Sequence, residues 1–256
     1  MKNDLDQILD CATYAGKLLL ESGAEIYRVE DTICRICKNY GAEEADSFSL
    51  PTGIFVTVAC QGRSVSRIVR IKNRGSNVDR IDRINSLSRK SSTLSLDEFR
   101  KELKEIKNTP ANSLLLKSIG GGVGAAGFVL FFSGGLPDLL YAFIIGMFVE
   151  ATLLFLEKRN FPSFFSISLC SALTAILAIL LVQTGLIHDM DTVIISCLML
   201  LVPGLAITNA IRDSLSGDLV SGTSRGVEAI LIAISVAVGP GLVMSLWMAL
   251  GGRPLW

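Results

Sequence analysis

The chain has 256 residues, 24 basic and 24 acidic side chains, and a hydrophobic fraction of 50%. This apolar content is too high for an ordinary soluble domain of this length, and zero net charge excludes a globally basic, nucleic-acid-binding protein. Residues 1–113 hold 18 of the 24 Lys and Arg and 16 of the 24 Asp and Glu. The nearly uncharged remainder is therefore predicted to lie in a membrane.

The amino-terminal residues predict an α+β domain, 1–110. Acidic residues within the first twenty positions argue against a cleavable signal peptide, so this domain is expected to be cytoplasmic. Apolar spacing predicts two helices, a period of two predicts three strands, and two more helices follow, the last opened by a Ser95–Glu98 capping box. The predicted helices are 4–21, 25–40, 78–90 and 96–107, and the predicted strands are 47–50, 54–59 and 64–71. In the last strand, Arg67 and Arg70 are expected on a wet face.

Residues 111–256 are predicted to form an α-helical transmembrane bundle of five spans. Each of five apolar stretches is close to the roughly 20 residues that cross a bilayer. These stretches are 114–133, 138–157, 164–186, 192–211 and 226–250. Basic residues favour the loops on the side of the amino-terminal domain, and the other loops carry acids, so the carboxyl terminus is expected outside.

A hairpin after the fourth stretch contains the strongest candidate site. A proline and a glycine interrupt the apolar sequence, and polar and charged side chains follow at the membrane edge, where they are costly and usually mark a substrate or ion path. Glu150, inside the second stretch, either pairs with an internal arginine or takes up a proton. The predicted path residues are Glu150, Pro203, Gly204, Asn209, Arg212, Asp213, Asp218, Arg225 and Glu228.

Several other features favour a structural interpretation. Gly120-x-x-x-Gly124 predicts close helix packing rather than a phosphate loop. Cys34-x-x-Cys37 lies within a helical pattern and is more consistent with buried thiols than with a metal or redox pair. His188, the only histidine, is expected on an outer surface. Neither a cofactor nor a metal site is predicted.

Charges also concentrate where the first predicted helix ends and the second begins. The acids Glu25, Glu30 and Asp31 suit a helix amino terminus, whereas Arg28 suggests a pair with Glu25 or Asp31. No Ser-His-Asp arrangement is available in this half, so a hydrolase would depend on carboxylates or cysteine.

The sequence resembles the threonine/serine exporter family. The matching segments are Ser22–Asp31, Leu50–Gly53, Arg74–Asn77, Gly134–Gly135 and Val202–Glu228. The resemblance implies roles for the amino-terminal motif residues Glu25, Arg28, Glu30, Asp31, Thr52, Gly53, Arg74 and Asn77. The length is similar to that of the larger subunit in the two-component branch, in which a smaller membrane subunit completes the transporter and succinate is one described substrate.

The resemblance and the path residues together predict an exporter of small amino acids or C4-dicarboxylates, coupled to the proton gradient. Arg212 or Arg225 could bind a substrate carboxylate, and protonation of Glu150 or Glu228 could couple proton entry to export. Five spans supply one half of a transporter, so a second subunit or a homo-oligomer is expected. Two alternatives stay open: a regulatory subunit whose amino-terminal domain senses a metabolite, and a membrane-anchored hydrolase.

Overall fold

The computed structural model describes residues 4–72, 74–110, 113–187 and 189–251. The chain forms two compact units, each assembled from two separate stretches of sequence. The first unit contains Met1–Pro110 and Gly204–Val227, and the second contains Ala111–Pro203 and Glu228–Trp256. The sequence-based division at residue 110 did not assign 204–227 to the amino-terminal residues. His188 lies outside the described residues.

The first unit is built around four helices and one sheet. The helices are α1 (Leu5–Glu21), α2 (Ile26–Asn39), α3 (Val78–Arg89) and α4 (Leu96–Asn108). Their apolar faces and the inner face of the sheet form one core. This core includes Leu19, Ile33, Ile54, Phe99 and Leu103. The predicted helices are confirmed to within two residues at each end, and the Ser95–Glu98 capping box of α4 is present.

The sheet is an antiparallel meander of β1 (Glu44–Leu50), β2 (Gly53–Cys60) and β3 (Arg63–Arg70). Residues Phe48, Phe55 and Ile68 pair across it in one row on the exposed face. Arg67 instead lies opposite the buried Val56 and pairs with Asp10 of α1. Both arginines are exposed, as predicted, and the Arg67 side chain is 45% exposed. Alternation nevertheless puts the two residues on opposite faces of the strand, so they do not share one wet face.

The first unit also contains the hairpin of α9 (Gly204–Leu215) and the start of α10 (Leu219–Ala249). Only three residues separate these helices, so the connection over 212–225, expected between the predicted stretches 192–211 and 226–250, was too long. The helices approach closely at Gly222, where an added Cβ would lie 2.9 Å from the Ala210 carbonyl oxygen.

A single helix over 192–211, the predicted fourth span, is not observed. The residues form α8 (Met190–Leu198) and α9, which are separated by residues 199–203. Pro203 lacks a backbone N–H and disfavours helical geometry at the residue before it, so α8 cannot run on into α9. Five crossings of the membrane therefore remain a prediction.

The second unit packs α5 (Leu114–Phe131), α6 (Leu136–Lys158), α7 (Ser163–Gln183), α8 and the later part of α10. Among the described residues, α5, α6, α7 and α10 are the four helices long and apolar enough to cross a membrane. At most 39% of the residues in their most apolar segments are buried. The exposed remainder is the surface that lipid would cover, as expected for a multi-pass membrane protein.

Glycines bring α5 and α6 together, as predicted, but not at the predicted positions. An added Cβ at Gly121 would lie 2.7 Å from Glu150 Cβ, and one at Gly146 would lie 2.9 Å from the Gly121 carbonyl oxygen. A Cβ added at Gly120 would meet no atom of another element within 4 Å, and one added at Gly124 would lie 2.9 Å from a Leu200 methyl carbon instead. The interface thus uses the next residue along α5.

Candidate functional site

The turn between α1 and α2 is the point at which the predicted motifs of the first unit meet. Gly23 adopts φ +86°, a left-handed conformation that favours glycine. An added Cβ there would also lie 2.8 Å from the Gly75 carbonyl oxygen. The turn therefore presents the backbone of Gly23 and Ala24, followed by the first turn of α2, in one fixed conformation.

The Arg74–Asn77 segment holds one side of this turn. The Gly75 N–H donates to the Glu21 carbonyl at 2.9 Å, and the Asn77 N–H donates to the Ser22 carbonyl at 3.0 Å. The Asn77 side chain also caps α3 by accepting from the Arg80 N–H at 2.9 Å. Arg74 itself is exposed. This motif therefore connects the α1–α2 turn to the start of α3.

The α9–α10 hairpin contacts the same turn through three polar side chains. Asn209 Nδ2 donates to the Gly23 carbonyl at 2.9 Å, and Arg225 Nη2 donates to the Ala24 carbonyl at 2.8 Å. Asp213 Oδ1 accepts from the Ile26 N–H at 3.2 Å. That N–H is one of the free donors at the start of α2, where a carboxylate is favoured by the helix dipole.

Three ion pairs complete the contact. Glu25 binds Arg28 Nε at 2.7 Å and Arg212 Nη1 at 2.6 Å, so its carboxylate bridges two guanidinium groups. Asp213 Oδ2 lies 3.0 Å from Arg225 Nε, and both side chains are buried. The two hairpin arginines differ sharply in exposure, because the Arg212 side chain is 55% exposed and that of Arg225 is 8% exposed.

The remaining motif residues support the surroundings of this contact. Glu30 Oε1 accepts from the Ser49 N–H at 2.6 Å, which ties α2 to the end of β1. Burial raises the pKa of Glu30, and nearby Asp218 raises it further. The Thr52 carbonyl accepts from the Ile71 N–H at 3.0 Å, and Gly53 begins β2. Asp31 pairs with Arg35 on the exposed side of α2.

Three predicted path residues lie elsewhere. Glu150 is in the second unit, half-buried on α6 beside Gly121. Pro203 precedes Gly204, the first residue of α9. Glu228 lies on α10, three residues after Arg225, and is partly exposed.

Sequence reasoning missed the acceptors of this site, which are the backbone carbonyls of Gly23 and Ala24. Gly23 belongs to the Ser22–Asp31 segment that resembles the family, but no contact was predicted for its backbone. Its place at the start of the Gly23-Ala24-Glu25 run is the one signal that could have indicated a specialised turn. Neither thiol of the Cys34-x-x-Cys37 pair is activated as a nucleophile, because burial raises the pKa of Cys37 to about 12 and also raises that of Cys34.

The bridging carboxylate gives the contact a defined pH dependence. Burial alone would raise the pKa of Glu25, but hydrogen bonds from its own backbone, Arg28 and Arg212 outweigh burial and hold the pKa below its ordinary value of 4.5. A carboxyl with a lowered folded-state pKa stabilises the fold above its unfolded-state pKa, and this contribution disappears as pH falls through the folded-state value. Ionised Glu25 therefore stabilises the neutral-pH structure.

We expect Glu25→Gln to lower the unfolding temperature of the purified chain at pH 7. Because the wild type loses its advantage on protonation, the difference should be constant near neutral pH and should shrink as pH falls below about 4.5. Thermal unfolding of both proteins at a series of pH values measures it. A difference that stays constant down to strongly acidic pH would contradict the assignment.

Comparisons with known proteins match this chain to one family along most of its length. The threonine/serine exporter family model (ThrE) matches residues 10–247. The "Probable succinate transporter subunit YjjP" of Klebsiella aerogenes is 22% identical over 242 residues, covering 93% of this chain and 92% of that protein. The protein of the same name from Escherichia coli K12 is 21% identical over 234 residues, which are 91% of this chain and 91% of that protein.

A longer relative also matches. The "Threonine/serine exporter" of Corynebacterium glutamicum is 22% identical over 249 residues, which are 93% of this chain and 51% of that protein. The chain thus spans about half the length of this relative. No solved structure matches the chain. A family match over residues 10–247 leaves no ambiguity: the chain belongs to the threonine/serine exporter family.

Proposed function

We propose that this chain is one subunit of a secondary exporter for small carboxylate-bearing molecules, either amino acids such as threonine and serine or C4-dicarboxylates such as succinate. Family membership and the names of its relatives support this class of substrate. The observation that carries the proposal is the exposure of Arg212, which lies in a polar site that directly follows the proline-broken segment.

Arg212 is the better candidate of the two arginines for contact with a substrate. A guanidinium has five N–H donors in a planar fork that suits a carboxylate. The hydrogen bond to Glu25 comes from one terminal nitrogen, and more than half of the side chain is exposed. Arg225 is buried and already binds both Asp213 and the Ala24 carbonyl. We therefore assign Arg225 a structural role and Arg212 the substrate contact.

A second membrane subunit and proton coupling complete the proposal. Two relatives that match this chain along nearly their whole length are named as subunits, and secondary transporters are commonly built from two related halves. Glu150 and Glu228 are the proposed proton acceptors, since each is an ionisable group on a helix long and apolar enough to cross the membrane. The basic loops favour a cytoplasmic amino-terminal unit.

We expect Arg212→Ala to reduce efflux of the true substrate by at least about tenfold, because a charge-assisted contact to the substrate is lost. Efflux of labelled threonine, serine and succinate would be measured in cells with and without a co-expressed candidate for the smaller membrane subunit. Arg63→Ala removes an exposed, ion-paired arginine of the same unit and should leave efflux unchanged.

A second variant separates substrate binding from docking of the hairpin. Glu25→Gln weakens the contact with Arg212 but leaves the guanidinium in place, so it should retain more efflux than Arg212→Ala. Protein abundance in the membrane would be matched by immunoblot. Wild-type efflux in Arg212→Ala, or equal losses in both variants, would reject the substrate contact.

A further inference from the structure

A cavity with several charged side chains in its lining lies within the first unit, formed by residues that the proposed export site does not use. Its volume is about 370 Å³, within the range of small-molecule sites. Helix α1 contributes Asp10, Tyr14 and Lys17, strand β3 contributes Arg67, and helix α4 contributes Arg100 and Lys104. None of these residues belongs to the predicted motifs, so the family resemblance assigns them no role.

The cavity has an excess of positive charge, because four cationic side chains face a single carboxylate. Asp10 pairs with Arg67, and Lys17 lies 3.7 Å from Glu21 on the same helix. Among the residues that the structure describes, no ion pair engages Arg100 or Lys104. Lys107 adds a further cation near the rim, with its Nζ 5.7 Å from the centre of the Tyr14 ring.

The position of Arg67 is unusual for the strand pattern. Its cross-strand partner Val56 and the adjacent inward residues of β2 are buried and apolar, so an apolar side chain would be expected opposite them. An inward charge can protect an edge strand from pairing with another chain. Protection of the edge strand would not require the two further cations that α4 contributes to the same cavity, Arg100 and Lys104.

Arg100 and Lys104 stand four residues apart on α4, and like charges at this spacing destabilise a helix. An anion shared between them would remove this repulsion. Arg and Lys both bind phosphate groups, the guanidinium by paired hydrogen bonds and the ammonium as a point charge. A four-carbon dicarboxylate is much smaller than the cavity, which therefore favours a larger anion.

We propose that this cavity binds an organic phosphate of sugar-phosphate or mononucleotide size, with the phosphate held by Arg100 and Lys104. The site is distinct from the Glu25–Arg212 contact, and its ligand would act on the amino-terminal unit rather than pass through the membrane. Export could thereby respond to the concentration of a phosphorylated metabolite. The proposal concerns binding to this unit and goes beyond the proposed export activity.

Equilibrium binding to the purified full chain in detergent tests the proposal. The probes are AMP, glucose 6-phosphate, inorganic phosphate and succinate, titrated by calorimetry at one ionic strength. We expect AMP or glucose 6-phosphate to bind the wild type more tightly than either small anion. Arg100→Ala combined with Lys104→Ala should weaken that binding by at least about tenfold.

The matched control is Lys38→Ala combined with Lys101→Ala, which removes the same charge from exposed positions outside the cavity. The affinity of this control variant for the organic phosphate should stay within about twofold of the wild-type affinity, because salt screens the electrostatic effect of distant charges. Equal weakening in both double variants would overturn the proposal, as would absent organic-phosphate binding or equal binding of inorganic phosphate or succinate.

The single variants Arg100→Gln and Lys104→Gln serve if the double variant unfolds, and each should show a smaller loss in the same direction. Because this measurement does not involve transport, its failure would leave the export proposal standing. Conversely, a chain that binds organic phosphate but exports neither amino acids nor dicarboxylates would retain this inference alone.

Discussion

Arg225→Ala is expected to destabilise the first unit severely, by about 3–5 kcal/mol. The substitution leaves Asp213 fully buried without its cationic partner, and the Ala24 carbonyl loses its donor. A buried, uncompensated carboxylate costs far more than the ion pair itself contributes. Thermal unfolding of the purified protein and its abundance in membranes would both report the loss.

Two comparisons isolate the cause. Arg35→Ala breaks an exposed i,i+4 pair on α2 and should cost less than about 1 kcal/mol. Combining Arg225→Met with Asp213→Asn removes both charges but keeps an acceptor for the Ile26 N–H, and should recover part of the stability. An Arg225→Ala protein that unfolds at the wild-type temperature would show that the buried pair is not a stabilising unit.

The second large effect is expected in the second unit, at the contact between α5 and α6. Gly121→Leu should disrupt this contact, because even a Cβ at Gly121 would lie 2.7 Å from Glu150 Cβ and 3.1 Å from the Gly146 carbonyl oxygen. Overpacking typically costs 1–3 kcal/mol, and a clash with backbone leaves little room for relaxation. Reduced insertion or a lowered unfolding temperature in detergent would be measured.

Gly120→Leu is the matched control, since it makes the same substitution at the adjacent residue of the same helix. A Cβ added at Gly120 would meet no atom of another element within 4 Å, so the Gly120→Leu variant should resemble the wild type. If Gly120→Leu were instead the more damaging of the two, the Gly120-x-x-x-Gly124 interface expected from the sequence would be the correct one.

Local structure in the first unit could be predicted because its signals are local. Apolar spacing, strand alternation and the Ser95 capping box each depend on residues a few positions apart. The α9–α10 hairpin stood out for a similar reason, as its charges lie within an apolar sequence. The break at Pro203 was noted, but its consequence, two helices in place of one span, was not inferred.

The contacts that assemble the candidate site could not be predicted. Glu25 and Arg212 are 187 residues apart, and no periodic pattern relates them. Two of the acceptors are backbone carbonyls, which every residue has and which therefore give no signal in sequence. From the sequence alone, Arg212 and Arg225 were equivalent candidates for the substrate contact. Only the burial of their side chains in the structure distinguishes them.

The discontinuity of the first unit has a consequence for biosynthesis. Residues 111–203 must be translated before Asn209, Asp213 and Arg225 leave the ribosome, a delay of roughly 5–20 s at an elongation rate of about 5–20 residues per second. Throughout that interval the Gly23 and Ala24 carbonyls and the Ile26 N–H lack their final partners. The nascent amino-terminal unit thus lacks the α9–α10 hairpin while the first helices of the second unit enter the membrane.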